Sequence, residues 1–203
     1  MNHLMQSTDA LNGLVNASEG IVFDKKCRRV TLRSDYDEYC AKGLVSLIAG
    51  GGSGHEPYAA GYVGRGMLTA AVSGNVFASP PSRHVSAALD STTTKGGSIL
   101  FIINYTGDRL NFGLAAERYL AAGHHVKMIS IADDVAIESL SNTVGRRGLA
   151  AAVLIIKIAG AMAESGKYTI EQIESKANRL KENAGTMGVS LYPCSLPGFW
   201  PNI

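Results

Sequence analysis

Residues 44–57 read Leu-Val-Ser-Leu-Ile-Ala-Gly-Gly-Gly-Ser-Gly-His-Glu-Pro, an apolar run that passes directly into a glycine-rich segment with a histidine near its end. A short apolar run bounded by glycine is typical of a buried strand. Because glycine lacks Cβ, the segment after the strand can adopt positive φ and present N–H groups to a small polar ligand. The sequence therefore predicts a strand followed by a ligand-binding turn, with a purely structural turn as the alternative.

Further strands and helices alternate along the chain. Short apolar runs at Leu68–Val72, Ser98–Ile103 and Val126–Ile131 each end near Gly, Asn or Asp. Helical spacing of apolar residues appears in Asn111–Ala122, which Gly123 follows. Almost wholly apolar strands separated by helices are typical of a mostly parallel α/β sheet with helices on both faces.

The last third of the chain has a different pattern. Residues 148–164 are apolar nearly all round and predict a buried helix, and Thr169 with Gln172 forms a capping box for an amphipathic helix after it. Residues 191–203 contain three prolines and three aromatic residues and predict an irregular tail. We therefore expect one domain at 1–203, with its core at about 10–190.

Composition excludes several classes of protein. The net charge is only +2, and the densest basic cluster, Lys25-Lys26 with Arg28-Arg29, is typical of a solvated loop, so nucleic acid is not favoured as a partner. Three widely spaced cysteines favour a reducing compartment, and the N-terminus lacks the pattern of a secretory signal. The longest apolar stretch is too short to span a bilayer. We expect a soluble cytoplasmic protein that binds neither nucleic acid nor membrane.

The glycine-rich segment does not match four familiar motifs. No glycine is followed by Lys-Ser or Lys-Thr, as a Walker A loop requires. Pro57 stands where a dinucleotide fingerprint needs its third glycine, and His55 stands where a nucleophile elbow ends on glycine. The zinc motif that His55-Glu56 could begin reaches Ala59 instead of a second histidine.

A second polar cluster, residues 104–111, directly follows the strand Ser98–Ile103. The carboxyl ends of parallel strands share one edge of a sheet, and ligands bind at that edge. If the two strands are near neighbours, His55 and Asp108 face one small cavity and form an acid/base pair that acts on a hydroxyl. The alternative is that Asp108 only caps the helix after it.

Asp133 and Asp134 follow the strand Val126–Ile131 at the same edge. Paired aspartates at this place could hold a metal ion. A solvent-exposed cap of a following helix is the favoured interpretation, so no metal ligand is assigned.

Several motifs together resemble the dihydroxyacetone (glycerone) kinase family, specifically the first part of its DhaK-type substrate-binding domain. They occur in family order and cover the chain from about residue 10 to 197. The matching stretches are Gly50–Pro57, Gly61–Ala71, Val76–Pro80, Asn104–Gly113, Gly145–Leu149 and Gly185–Leu191.

The resemblance implies a function in the phosphorylation of dihydroxyacetone or related short ketoses. Gly52, Ser53, Gly54 and His55 match the family's substrate loop, and His55 with Asp108 matches the pair credited with binding the triose and moving its hydroxyl proton. It also implies that this chain itself binds no cofactor. ATP and Mg²⁺ would belong to a separate DhaL-type domain or subunit, or a phosphoprotein relay would replace them, and homodimers are common in the family.

Three departures from the family pattern shape this interpretation. Ile103 stands where many members have a lysine that contacts substrate. The family's covalent histidine belongs to a later second lobe, and no histidine follows His125 here. The end of the tail does not resemble the family's continuation. We therefore expect residues 1–203 to be inactive alone, and the alternative function is a non-catalytic ligand-binding or regulatory protein.

Overall fold

The computed structural model describes residues 3–136 and 145–195. Its strands are β1 (Ile21–Phe23), β2 (Val30–Arg33), β3 (Ser46–Ser53), β4 (Ala70–Val76), β5 (Ser98–Ile103) and β6 (Val126–Ile131). They form one sheet in the order β1-β2-β4-β3-β5-β6. The four strands from β4 to β6 are parallel, while β1 and β2 form an antiparallel hairpin at the edge next to β4.

Helices cover both faces of this sheet. They are α1 (His3–Ala17), α2 (Tyr36–Ala41), α3 (Ser82–Ser91), α4 (Thr106–Ala121), α5 (Ala151–Ser165) and α6 (Ile170–Glu182). Buried residues of α3 and α4 form one apolar core with one face, and those of α5 and α6 form a second core with the other. The predicted α/β class with a mostly parallel sheet is thus confirmed.

The strands β5 and β6 begin and end where the sequence predicts, but β3 does not. It continues to Ser53, so the first half of the predicted glycine-rich turn, residues 50–53, is strand. Gly50 pairs with Val72, and a Cβ built on Gly50 would lie 2.2 Å from the carbonyl oxygen of Val72. Glycine therefore lets the two backbones approach here, and the irregular turn begins only after Ser53.

The helices differ from prediction at two places. Helix α4 begins at Thr106 rather than Asn111, so most of the predicted polar loop is helical. Helix α5 is buried on one face only, because Leu154 is 65% exposed, and the prediction of an all-round buried helix was wrong. The predicted capping box is confirmed: Thr169 accepts from the backbone of Gln172, whose side chain accepts from the backbone of Thr169.

The tail is irregular where the structure describes it. Residues 191–195 have no regular secondary structure, and the rest of the predicted tail lies outside the described residues. The single domain with its core at about 10–190 stays a prediction. Within residues 3–136 and 145–195, no helix is long and apolar enough to cross a membrane.

Candidate active site

The end of β3 lies tightly against the turn that follows β4. A Cβ built on Gly52 would lie 2.8 Å from the backbone nitrogen of Ala78. The Ser53 hydroxyl donates to the carbonyl oxygen of Gly74 at 2.9 Å, so this predicted substrate residue also ties the two strands together. The glycines thus serve close backbone packing as well as any ligand.

His55 is exposed at the end of this segment. Its Nε2 lies 2.6 Å from the carbonyl oxygen of Gly52. A carbonyl oxygen only accepts, so this contact requires the proton on Nε2, and in the neutral tautomer Nδ1 is then the accepting nitrogen. The imidazole also packs beside the ring of Tyr58, with ring centroids 5.1 Å apart. His55 is therefore oriented by two neighbours before any ligand arrives.

Asp108 lies in the first turn of α4 and is only 6% exposed. It does not cap the helix: Tyr105 stands at the N-cap, and the Ser79 hydroxyl donates to Asp108 Oδ1 at 2.5 Å. Asn111 in turn donates to the Ser79 hydroxyl at 3.3 Å. The alternative role of Asp108 as a helix cap is thus wrong, because its carboxylate turns toward the segment after β4.

His55 and Asp108 share the space above Gly51. A Cβ built on Gly51 would lie 3.5 Å from His55 Nε2 and 3.8 Å from Asp108 Oδ2. Oδ2 is the carboxylate oxygen that Ser79 does not occupy. The structure therefore places side by side the two groups that the strand order predicts to be near each other.

A cavity of about 640 Å³ opens at this edge of the sheet. All five predicted substrate-binding residues line it: Gly52, Ser53, Gly54, His55 and Asp108. The other lining residues are Phe77, Ser79, Ile103, Tyr105, Thr106, Gly107 and Cys194. Position 103, where the resemblance implies a lost lysine contact, is thus part of the cavity wall.

One predicted ligand contact is already occupied within the chain. The backbone N–H of Gly54 donates to the carboxylate of Glu56, at 3.0 and 3.2 Å to its two oxygens. Glu56 is exposed, so its side chain can turn into solvent. A ligand that bonds to the Gly54 N–H has to displace this carboxylate first.

Sequence reasoning did not single out Ser79 and Tyr58. The Tyr58 hydroxyl donates to the carbonyl oxygen of Gly50 at 3.4 Å, and burial, with the Asp108 carboxylate nearby, raises the pKa of Tyr58 so that it stays protonated. A lone serine after a strand and a tyrosine after proline are common in loops. Only their contacts with Asp108 and with the glycine segment mark them as parts of this site.

Asp133 and Asp134 form a buried structural junction rather than an exposed cap. Asp133 is 2% exposed and accepts from the backbone nitrogens of Leu149 and Ala151, which approach the start of α5. Asp134 is fully buried and accepts from Arg147 Nη2 at 2.8 Å. The prediction of a helix-terminal role is partly correct, but the predicted solvent exposure was wrong. Among the described residues no cluster of three or more His, Cys, Asp or Glu side chains suits a metal ion.

The charge of Asp108 gives a testable pH dependence. Burial raises the pKa of Asp108, while the Ser79 hydrogen bond and His55 offset part of this effect. For a carboxyl group whose folded pKa is raised, the stabilising contribution is present at low pH and is lost as pH rises through the folded pKa. Asp108→Asn keeps an acceptor for Ser79 and removes the charge, so we expect a higher melting temperature than wild type at pH 7.

Melting curves of both proteins between pH 3 and pH 8 check this expectation. The advantage of Asp108→Asn is expected to shrink as the pH falls and the wild-type carboxyl becomes protonated. A variant that melts below wild type at pH 7, with the gap closing at low pH, would show that the charged form is stabilised by its surroundings.

Comparison with known proteins yields close relatives. The Dak1 domain family matches residues 12–200. The Triokinase/FMN cyclase of Mus musculus is 48% identical over 192 residues, which are 94% of this chain and 32% of the relative. The dihydroxyacetone-binding subunit DhaK of the PTS-dependent dihydroxyacetone kinase 1 of Listeria innocua is 40% identical over 202 residues, 97% of this chain and 60% of that subunit.

A solved structure matches as well. The dihydroxyacetone kinase from C. freundii in complex with AMP-PNP and Mg²⁺ superposes with a TM-score of 0.81 at 38% identity, covering 90% of this chain and 33% of that one. The chain thus spans about a third of the length of the mouse relative and of the C. freundii kinase.

Proposed function

Because the chain belongs to the Dak1 domain family, we propose that it forms the triose-binding part of a dihydroxyacetone kinase. The observation that carries this proposal is that the His55 imidazole and Asp108 Oδ2 both lie within 4 Å of the point where a Cβ on Gly51 would stand, inside one cavity. A short ketose is neutral and carries hydroxyl groups, so its recognition needs hydrogen-bond partners rather than a countercharge. Names of relatives support the choice of ligand, since one is a triokinase and another a dihydroxyacetone-binding subunit.

Asp108 has the properties of a base for a primary hydroxyl. Burial raises its pKa, and a carboxylate with a raised pKa is a better proton acceptor near neutral pH than an ordinary one. In the proposed reaction Oδ2 accepts the hydroxyl proton while Ser79 holds Oδ1 in place. His55 adds a second polar group beside the same hydroxyl and helps to orient the ketose.

We propose that the phosphoryl donor is not held by the residues of this cavity. We propose that ATP and Mg²⁺ on a DhaL-type domain or subunit, or a phosphoprotein relay, supply the phosphoryl group to the triose held here. Phosphoryl transfer depends mainly on positioning and charge stabilisation, so a well-held, activated hydroxyl is the contribution expected of this chain.

Calorimetric titration with dihydroxyacetone tests the proposal. Wild type is expected to bind, whereas His55→Ala and Asp108→Ala each weaken binding about tenfold or more, because each removes a hydrogen-bond partner from the cavity. His124→Ala is the matched control, since this exposed histidine stacks on Tyr119 at the far end of α4. Circular dichroism verifies that each variant is folded.

Two results of this titration would contradict the proposal. If wild type does not bind dihydroxyacetone, triose binding is not the function of this chain. Binding that neither cavity substitution alters would place the ligand elsewhere.

Transfer is tested separately from binding. Phosphorylated triose formed with an ATP-loaded DhaL-type partner would support the kinase, and its absence despite binding would favour a ligand-binding or regulatory role.

A further inference from the structure

Phe77 has an unusual backbone conformation at the wall of the cavity. Among the described residues it is the one non-glycine residue with positive φ, at 54°. The left-handed region is unfavourable for a bulky side chain, and such residues persist only where the surrounding structure holds them. The Phe77 side chain is also 50% exposed, so burial of the ring does not explain the conformation.

Contacts with the glycine segment hold Phe77 in this conformation. Its backbone nitrogen donates to the carbonyl oxygen of Ser53 at 2.9 Å. The next nitrogen, that of Ala78, donates to the carbonyl oxygen of Asn75 at 3.0 Å and closes the turn after β4. This turn is the one that lies close to Gly52. The backbone of Phe77 is thus fixed directly to the end of β3.

The ring of Phe77 lies on Gly54. A Cβ built on Gly54 would lie 2.5 Å from Phe77 Cε1, and Gly54 itself has a φ of +126°. A side chain at position 54 would therefore collide with the ring as well as being strained. Phe77 and Gly54 line the same cavity beside His55. The ring therefore covers Gly54 and forms part of the cavity wall.

We propose that Phe77 is a positioning residue that holds residues 52–54 in the ligand-receiving conformation and forms the apolar wall limiting ligand size on that side. The ring restricts the backbone conformations that Gly54 can adopt before the ligand binds. A segment that is already ordered loses less entropy on binding, and affinity rises accordingly. The size and chemistry of the ligand in this statement rest on the proposed function, whereas the ordering of residues 52–54 does not.

Hydrogen exchange of the ligand-free protein tests the ordering directly. Phe77→Gly and Phe77→Ala are expected to speed the exchange of the Gly54 amide about tenfold, because local opening no longer has to displace the ring. Phe77→Tyr keeps the ring and is expected to retain the wild-type rate. Tyr168→Ala is the matched control: Tyr168 is 44% exposed and lies in a separate groove between α5 and α6.

Affinity and melting temperature separate positioning from general stability. Phe77→Gly is expected to melt at or above Phe77→Ala, since glycine adopts a φ of 54° without strain. Both variants are nevertheless expected to bind dihydroxyacetone about fivefold more weakly than wild type, and Phe77→Tyr restores the affinity.

Each outcome decides the proposal. An unchanged exchange rate at Gly54 in both small variants overturns it, whatever the affinities are. If wild type binds dihydroxyacetone and the two small variants bind it equally well despite faster exchange at Gly54, the role of Phe77 in ligand positioning is overturned. If wild type binds no triose, the proposed function fails, and the exchange rates alone decide whether Phe77 orders the segment.

Discussion

Asp133→Ala is expected to lower the free energy of unfolding by about 3–5 kcal/mol, because hydrogen bonds to a buried charged group each contribute about 1.5–3 kcal/mol. The carboxylate accepts from Leu149 N at 2.6 Å, from Ala151 N at 2.9 Å and from the Thr186 hydroxyl. It thereby joins the end of β6 to the start of α5 and to the segment after α6. Urea denaturation followed by circular dichroism measures the loss.

Two control variants show how much of this loss comes from the buried carboxylate. Asp133→Asn keeps the volume and one acceptor, so roughly half of the loss is expected. Asp90→Ala removes an exposed aspartate at the end of α3 and is expected to change stability by less than about 0.5 kcal/mol. Equal losses for Asp133→Ala and Asp90→Ala would mean that water replaces the buried carboxylate at no cost.

Asp133→Ala is also expected to loosen the wall of the cavity. The carbonyl oxygen of Arg146, three residues before Leu149, accepts from the Asn104 side chain at 2.6 Å. Asn104 lies between Ile103 and Tyr105, which both line the cavity. Loosening of residues 145–149 in Asp133→Ala therefore reaches the cavity wall through this hydrogen bond.

Arg33→Met is expected to lower the free energy of unfolding by about 3 kcal/mol, because it removes a buried guanidinium and leaves two partly buried carboxylates without their main counter-charge. Arg33 is 2% exposed, and its guanidinium contacts Asp35 and Glu164, each at 2.6 Å. It also stacks on the ring of Tyr39, at 4.2 Å from the ring centroid. Methionine restores part of the apolar contact but neither ion pair.

The pH dependence of this loss has a definite sign. Hydrogen bonds from Arg33 lower the pKa of both Asp35 and Glu164 below their ordinary values. A carboxyl group with a lowered folded pKa stabilises the protein above its unfolded pKa of about 4 and loses that contribution as pH falls through the folded pKa. The gap between wild type and Arg33→Met is therefore widest at neutral pH and narrows below about pH 4.

Arg65 provides the control for this cluster. It lies 3.7 Å from Glu164 and 3.9 Å from Asp35, but its side chain is 80% exposed. Arg65→Ala is expected to cost less than about 1 kcal/mol, as exposed ion pairs do. If the difference in free energy of unfolding between wild type and Arg33→Met stays constant from pH 7 to pH 3, the loss is due to packing and not to charge.

Local patterns were sufficient for some elements of the fold and not for others. Strands β5 and β6 were located correctly because each is a continuous apolar run, and the helix after Thr169 because its capping box is local. The hairpin of β1 and β2 was not predicted, since strands of three and four residues carry too short a pattern. The extension of β3 through Gly50 depends on its pairing with Val72, a residue distant in sequence.

The sequence alone determined the class of sheet, the edge at which ligands are expected, and the choice of His55 and Asp108 as candidate site residues. Periodicity and residue type are local properties, so they can be read without knowing which segments meet. Only the tertiary structure decided that Asp108 bonds to Ser79 rather than capping a helix, that Asp133 is buried, and that Phe77 lies on Gly54. These features arise from contacts between segments far apart in the chain, and burial and hydrogen bonding at such contacts depend on the packing of the whole fold.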